Sequence, residues 1–546
     1  KDADSAYKYN QAFGVRQFKE AVLNDIHTRS RQIGLLESLG PTFEGNIEAA
    51  VRELGEEARG KEDADKHVDS LRDWRIKAAT NEITGKNEFS ANPTLSKFTS
   101  FLKVNAQLSK MGAVVLSKFV DVGFVQREMA HQGFTGLDTL MNGIKMIASR
   151  TPDETHMIRA MGVGMESLIG NALSRFSEHS TMSGWAHTLQ KHFYNLSCLP
   201  RWNDSFRSAV ATSMANHLGE SAHLPYEKLQ DNLRHILSLY NISRSHWDAL
   251  RSAAYDHNGS RFITPDRLES VSDDHIKSLV EESGRTASEA NMLRQRDALE
   301  TSLRTYLADR ADIAVPTPGA AERKYATWNT QAGTPLGETM RLMMMFKSFP
   351  ITIMSKVVRR DMFGNGSMNM KQWLLNDHQG KFNFAMTVAM LTAAGYVSMS
   401  LHDAVAGKMP RPLMNDGKID WDTIQQSTVR GGSLGLLGES MLGEFGGNYR
   451  SYLQYLAGPT FGQLDTLFDM KKAVGEGKSV AWPATKLMLN NAPFANLFYI
   501  RPILDYLILW HLQEMMSPGS LKRSEGRTET QNNQRYFMKP SEHTNQ

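Results

Sequence analysis

Few residues in this chain are of a type and spacing that could do chemistry. Its 17 histidines are scattered. The loose group His179, His187 and His192 reads as helix-surface residues rather than as metal ligands, and no H-E-x-x-H pair occurs. Cys198 is the single cysteine, which excludes an intrachain disulfide framework. No histidine-bearing motif stands beside it, so a buried structural thiol is expected rather than a nucleophile. The carboxylates Glu56 and Glu57 lie in a charged stretch with no apolar setting to raise a pKa for general-acid work. Gly431-Gly-Ser-Leu-Gly-Leu-Leu-Gly438 comes nearest to a phosphate-cradling loop. It lacks the Lys-Ser/Thr of a P-loop, has the wrong spacing for a dinucleotide fingerprint, and follows no clear strand. Together with Gly443, Gly446 and Gly447 it reads as a connector or a close-packing segment. Neither a G-x-S-x-G elbow nor a kinase signature is found. The chain is therefore expected not to be an enzyme, and no catalytic, cofactor-binding or metal-binding residue is assigned.

The elements that position these residues are helical. Hydrophobic residues make up 41% and charged residues 22% of the 546, a folded composition long enough for two to four domains' worth of core. Proline is scarce, with 18 residues, and Met is abundant, with 29; straight-chain side chains lose little rotamer freedom in a helix. The reading is an all-α fold of elongated multi-helix bundles with an extended C-terminal tail. Lys and Arg number 62 against 59 Asp and Glu, a net +3, too small an excess for a protein that coats DNA. No internal repeat is visible. Residues 1–90 read as charged amphipathic helices and 91–315 as a helical domain. Within the latter, Leu102, Ala106, Leu108, Met111, Val115, Phe119 and Val120 recur at helical spacing. Ser109, Gly112 and Ser117 among them leave room for a close neighbour. Residues 316–335, around Pro316-Thr-Pro-Gly319, read as a linker, 336–516 as an apolar helical domain, and 517–546 as an extended polar tail. Tyr536-Phe537-Met538 is the tail's one apolar cluster and its expected docking point. The polar opening Lys1–Asn10 has no signal-peptide core, and a start at Lys1 suggests a fragment of a longer protein.

Two apolar segments are the candidate functional elements. Phe382–His402 contains no Asp, Glu, Lys or Arg between Lys381 and Asp403; as a helix it is about 31 Å long, near the ~30 Å of a bilayer core. Its apolar members are Phe382, Phe384, Met386, Val388, Met390, Leu391, Tyr396, Val397 and Leu401, tempered by Asn383, Thr387, Thr392, Ser398 and Ser400. Burial in a soluble bundle and insertion into a membrane both fit. The second segment, Pro502–Met516, carries Ile503, Tyr506, Leu507, Leu509 and Trp510 around its circumference. Asp505 stands four residues after Arg501, within pairing reach. It reads as a core helix, or as an interfacial or inter-subunit helix with Tyr506 and Trp510 at the polar boundary.

Several stretches, in order, resemble the C-terminal portion of the large internal virion proteins of tailed phages, short-tailed ones in particular. They are Leu108–Asp121, Phe193–Arg207, Phe346–Pro350 with Arg359-Arg360, and Asn496–Tyr499 through Asp505–Leu507, His511–Glu514, Pro518–Arg523, Asn532–Gln534 and Pro540-Ser541. The likeness spans roughly residues 95–546. It implies a mostly helical protein stored in a homo-oligomeric ring near the portal, beside other internal virion proteins. Such proteins leave the capsid during infection and form a conduit through the periplasm and host inner membrane, with phage DNA passing without sequence specificity. No catalytic residue attaches to this region in the family, although a murein-cleaving or other enzymatic domain precedes it in several relatives. The absence of disulfides and of slow-folding β-topology suits passage through a portal, and abundant Met gives adaptable packing. Two alternatives remain: a non-catalytic region of a larger virion enzyme (a murein hydrolase or virion polymerase), and a purely structural inner-core protein.

Overall fold

In a computed structural model, residues 3–13, 18–57, 76–88, 90–134, 136–148, 150–163, 185–363, 370–415, 417–432, 470–471, 475 and 480–544 are described. The described residues are about 75% helical, an all-α fold, and the sheet among them is confined to two short hairpins.

The helix Leu199–Glu220 is the central one. Pro200 sits in its first turn, where a missing N–H costs nothing. Trp202, Phe206, Ala209, Val210, Ala211, Met214, Ala215 and Leu218 are buried along it. Asn203, Asp204 and Arg207 are buried as well, and Arg207 pairs with Asp312, so the helix is enclosed by polar as well as apolar neighbours. Leu137–Ala148 lies against it at Gly143, where a Cβ would stand 2.9 Å from the Phe206 ring. The long helix Glu289–Ala314, capped by the Ser288 hydroxyl, contributes Leu299, Leu303, Tyr306, Leu307 and Ala311 at helical spacing. A hairpin, Tyr255–His257 with Ser260–Phe262, covers the C-terminal end of the central helix. Asn258 and Gly259 take positive φ at its tip (51° and 80°), as a tight two-residue turn requires. Ile263 N–H then donates to Ala215 O at 3.1 Å.

Two smaller cores cross the expected domain division. One joins Val104, Leu108 and Met111 to Phe193, Tyr194, Leu199 and Leu497. The other joins Val120 and Phe124 to Ile353, Val357, Val358, Met362, Trp373 and Leu391. The small residues expected to admit a neighbour do so. A Cβ on Gly112 would lie 2.2 Å from Asn496 O, the Asn496 amide donates to Ser109 O at 2.6 Å, and Ser117 Oγ meets His402 Nε2 at 3.1 Å.

Three expectations are corrected. The stretch 316–335 holds a helix, Ala320–Thr327. It is fastened by Glu322, which accepts from Gly319 N–H (2.7 Å) and Ser355 Oγ (2.7 Å), and by Arg323, which donates to Glu82 (3.0 Å). The prolines end one helix and a capping carboxylate starts the next, so the segment packs rather than swings. The polar C-terminus is not extended: Ser520–Asn532 is a helix. Gly519 at φ 73° admits the turn before it, and the Glu514 carboxylate accepts the Gly519 and Leu521 N–H groups. Residues rich in hydrogen-bonding groups here serve as caps. Cys198 is exposed, not buried. Its backbone is left-handed (φ 59°) at the turn into the central helix, which carries the thiol out of the core.

Trp247 is fully buried and its indole N–H donates to Leu224 O at 3.0 Å. Trp247→Ala is expected to lower the unfolding free energy by about 3–5 kcal/mol. Leu239→Ala, at an exposed site, should change it by less than ~0.5 kcal/mol; urea titration followed by circular dichroism reads both.

Candidate functional site

The first apolar segment lies inside a single 28-residue helix, His378–Val405, about 42 Å long. The Asp377 carboxylate accepts Gly380 N–H at 2.6 Å to start it, and Gly407 at φ 74° follows its end. Its buried face is Gly380, Thr387, Leu391, Ala394, Gly395, Ser398, Met399 and Asp403, mostly small or polar residues. Its open face is apolar: Phe382 is 60% and Val397 47% exposed, with Ala385, Ala389 and Ala393 exposed between them. Phe384, Met386, Val388, Met390, Tyr396 and Leu401 are half-buried along the flanks. This reverses the usual arrangement of a surface helix, which turns its apolar stripe inward. Among the described residues one helix is long and apolar enough to cross a membrane, and it is this one, with mean hydropathy 1.5 over its best 18 residues.

The polar inner face rests on a buried charge network. Arg127 Nε donates to Thr387 Oγ1 at 2.8 Å, and the Thr387 hydroxyl donates to Asp361 Oδ2. Arg127 also faces Asp361 at 3.5 Å, while Arg360 reaches Asp361 at 3.1 Å and Glu128 through its other nitrogen. Glu128, at 0% exposure, further accepts from Arg310 Nε (2.7 Å) and from the Gln132 amide (2.8 Å), and Tyr306 donates to Gln132 (2.6 Å). Arg127 and Glu128 come from the helix Asp121–His131, Arg310 from Glu289–Ala314, and Arg360 and Asp361 from Arg359–Phe363. Three guanidiniums thus meet two carboxylates among these five side chains. His131, one turn beyond Arg127, is pushed down to about 2 by desolvation of its ring and then by the positive charge of Arg360, Arg310 and Arg127.

Further ties hold the helix along its length. A Cβ on Gly395 would lie 2.1 Å from Ser427 O, and one on Gly431 would lie 2.0 Å from Leu391 O, so these glycines let Trp421–Arg430 approach backbone to backbone. Gly431 is therefore a packing residue; 433–450, including the rest of the glycine run and Gly443, Gly446 and Gly447, lie outside the described residues. Tyr396 OH donates to Arg411 O at 2.8 Å, and Arg411 faces Asp403 at 3.4 Å.

The second segment forms three continuous helical pieces, Ile500–Leu504, a π-helical Asp505–Leu509 and Trp510–Met516. Arg501 pairs with Asp505 at 3.0 Å, as the spacing predicts. Leu509 is buried and Trp510 half-buried, whereas Ile503, Tyr506 and Leu507 are exposed, Leu507 by 62%. Of the docking cluster, Tyr536 pairs with Lys408 within the same chain and Phe537 faces outward, 56% exposed. Met538 N–H donates to Gly407 O at 3.3 Å. His192 and Glu56 are exposed. His179 and the side chains of His187 and Glu57 lie outside the described residues.

Sequence reasoning missed the charge network. Its one signal was Arg127-Glu128 set in Phe124-Val125-Gln-Arg-Glu-Met129, charges embedded in an apolar helical stripe. Asp121 is fully buried, accepts the Trp202 indole N–H at 3.3 Å and pairs with Lys118 at 3.1 Å, which ties the stretch 108–121 to 193–207. Comparison of the chain with protein-family models, with curated proteins and with solved structures finds no match.

Glu128→Ala leaves Arg310 and Arg360 buried without their shared carboxylate. It is expected to cost about 3–5 kcal/mol, against ~0–1 kcal/mol for Glu44→Ala at the exposed Lys86 pair, read from urea midpoints. His131 is held neutral when folded but has an ordinary value of 6.5. Its contribution to stability is therefore complete above pH 6.5 and lost as the pH falls from there toward about 2. His131→Gln should flatten the fall in urea midpoint below pH 6.5.

Proposed function

We propose that this chain is an internal virion protein of a tailed phage. In this reading it is stored near the portal in a homo-oligomeric ring with other internal proteins, and is released into the host periplasm and inner membrane as part of a conduit for DNA. The virion assignment rests on the resemblance of residues 95–546 to that family. The observation that carries the membrane step is the outward apolar face of His378–Val405: Gly380, Thr387, Gly395, Ser398 and Asp403 lie inward with Leu391 and Met399, and Phe382, Ala385, Ala389, Ala393 and Val397 turn outward. An apolar face of that length is stable against lipid or a sister subunit and costly against water. In storage, neighbouring subunits cover it; after release, lipid does. Phage DNA passes the assembly without sequence-specific contacts, in keeping with the small net charge.

Two measurements test this. Mass spectrometry of intact and emptied particles should find the protein in the first and not in the second; retention after ejection would support a structural inner-core protein and defeat the conduit. In flotation with anionic vesicles, Ala389→Glu on the open face should weaken binding at least tenfold, since a charge near a helix centre costs about 2.5–3.5 kcal/mol in a membrane. Being exposed, the site should leave the melting temperature unchanged; equal flotation of both forms contradicts lipid contact by this face.

A further inference from the structure

The C-terminal segment turns back after Asn533 (φ 45°) and links the two apolar helices. At its near end it runs beside the exit of His378–Val405. Met409 N–H donates to Arg535 O at 2.8 Å, Phe537 N–H to Gly407 O at 3.1 Å, and the buried Gln534 amide to Met409 O at 2.7 Å. Lys408 Nζ lies 5.4 Å from the centre of the Tyr536 ring. At its far end it reaches the second apolar helix: the His543 ring lies 4.8 Å from Tyr506 and 6.1 Å from Trp510. Glu525 fixes the piece between, accepting Ser541 N–H at 2.7 Å and Ser541 Oγ at 2.6 Å.

None of residues 533–544 belongs to the three hydrophobic cores. The segment is therefore held by hydrogen bonds, ring contacts and the Lys539–Glu529 pair at 3.2 Å, which water and headgroups can replace, and it can leave without opening a core. Tyr506 and Trp510, which His543 covers in part, are the side chains of that helix best suited to a membrane interface. A fold-back that ties the exit of one apolar helix to the aromatic pair of the other and carries no core residue has the construction of a restraint.

We propose that residues 533–544 are an autoinhibitory strap, which in place slows the two apolar helices from engaging a bilayer and on release lets them do so. This rests on the membrane-engaging reading above.

A Cβ built on Gly407 lies 3.6 Å from Met538 Cβ, within the range a disulfide spans; because the left-handed backbone at Gly407 strains any side chain, Gly407→Cys alone serves as the reference for both forms. In a Cys198→Ser background, Gly407→Cys with Met538→Cys locks the full chain on oxidation and frees it on reduction. Dye release from phosphatidylcholine–phosphatidylglycerol vesicles should slow by about fivefold or more in the oxidised form, a modest coupling between strap and helices, and recover with reductant. Tyr536→Ala with His543→Ala should speed release by a similar factor; if this pair fails to fold by circular dichroism, the locked chain decides. Equal release by oxidised and reduced forms, with lipid engagement intact, overturns the strap and leaves the membrane reading standing. No binding or release by any form overturns the membrane reading, and the strap with it.

Discussion

Glu128 is sealed from water with a guanidinium on each of its oxygens, and most of this architecture answers to that arrangement. Taking such charges out of water is costly, and mutual attraction offsets the cost only when every partner is in place. Arg127, Glu128, Arg310, Arg360 and Asp361 bring together helices that are far apart in the chain, so those helices have one relative arrangement that leaves no carboxylate or guanidinium stranded. Cores shared between residues 104–124 and residues 353–391 and 497 follow the same connection. The expected division near 316–335 therefore has packed structure across it.

The network also explains how an apolar helix can be turned inside out. Thr387 bonds to Arg127 and Asp361, and Gly395 and Gly431 allow a neighbouring backbone to close in. The inner face is thus anchored by polar bonds and close approach together with the buried Leu391 and Met399, which leaves Phe382, Val397 and the alanines between them for the outside. Bonds of this kind favour one docked position, since breaking one leaves its buried partners unsatisfied. Under the proposed function, storage and release differ in what covers the outer face.

Much of this was legible in residue order. Apolar spacing placed the helices, the four-residue step from Arg501 to Asp505 gave their pairing, and Ser109, Gly112 and Ser117 marked where other segments come close. The charge network was hidden because its members meet across separations such as 232 residues for Arg360 and Glu128, and nothing local to either names the other. Composition misled at the C-terminus: a polar stretch with one apolar cluster read as extended, yet Ser520–Asn532 is a helix, with Glu514 from the preceding helix accepting the Gly519 and Leu521 N–H groups and Glu525 accepting that of Ser541. Cys198 misled because a thiol's usual burial yields to a turn that needs a left-handed residue. The outward alanine face was not read from the sequence, because which side of the helix faces the protein depends on Thr387 and Gly395, a tertiary matter.

The central claim is that the face of His378–Val405 bearing Ala385, Ala389, Ala393 and Val397 is built to meet lipid. Spin labels placed one at a time along 385–398 in a Cys198→Ser chain report collision with oxygen, which concentrates in bilayers, and with a water-soluble nickel chelate. With vesicles at equilibrium, labels at Ala385, Ala389, Ala393 and Val397 should gain oxygen and lose nickel contact with a period near 3.6 residues, while labels at Leu391, Ala394 and Ser398 should not follow that phase. Unchanged nickel access across the outer positions would show a face that stays in water and contradict the account.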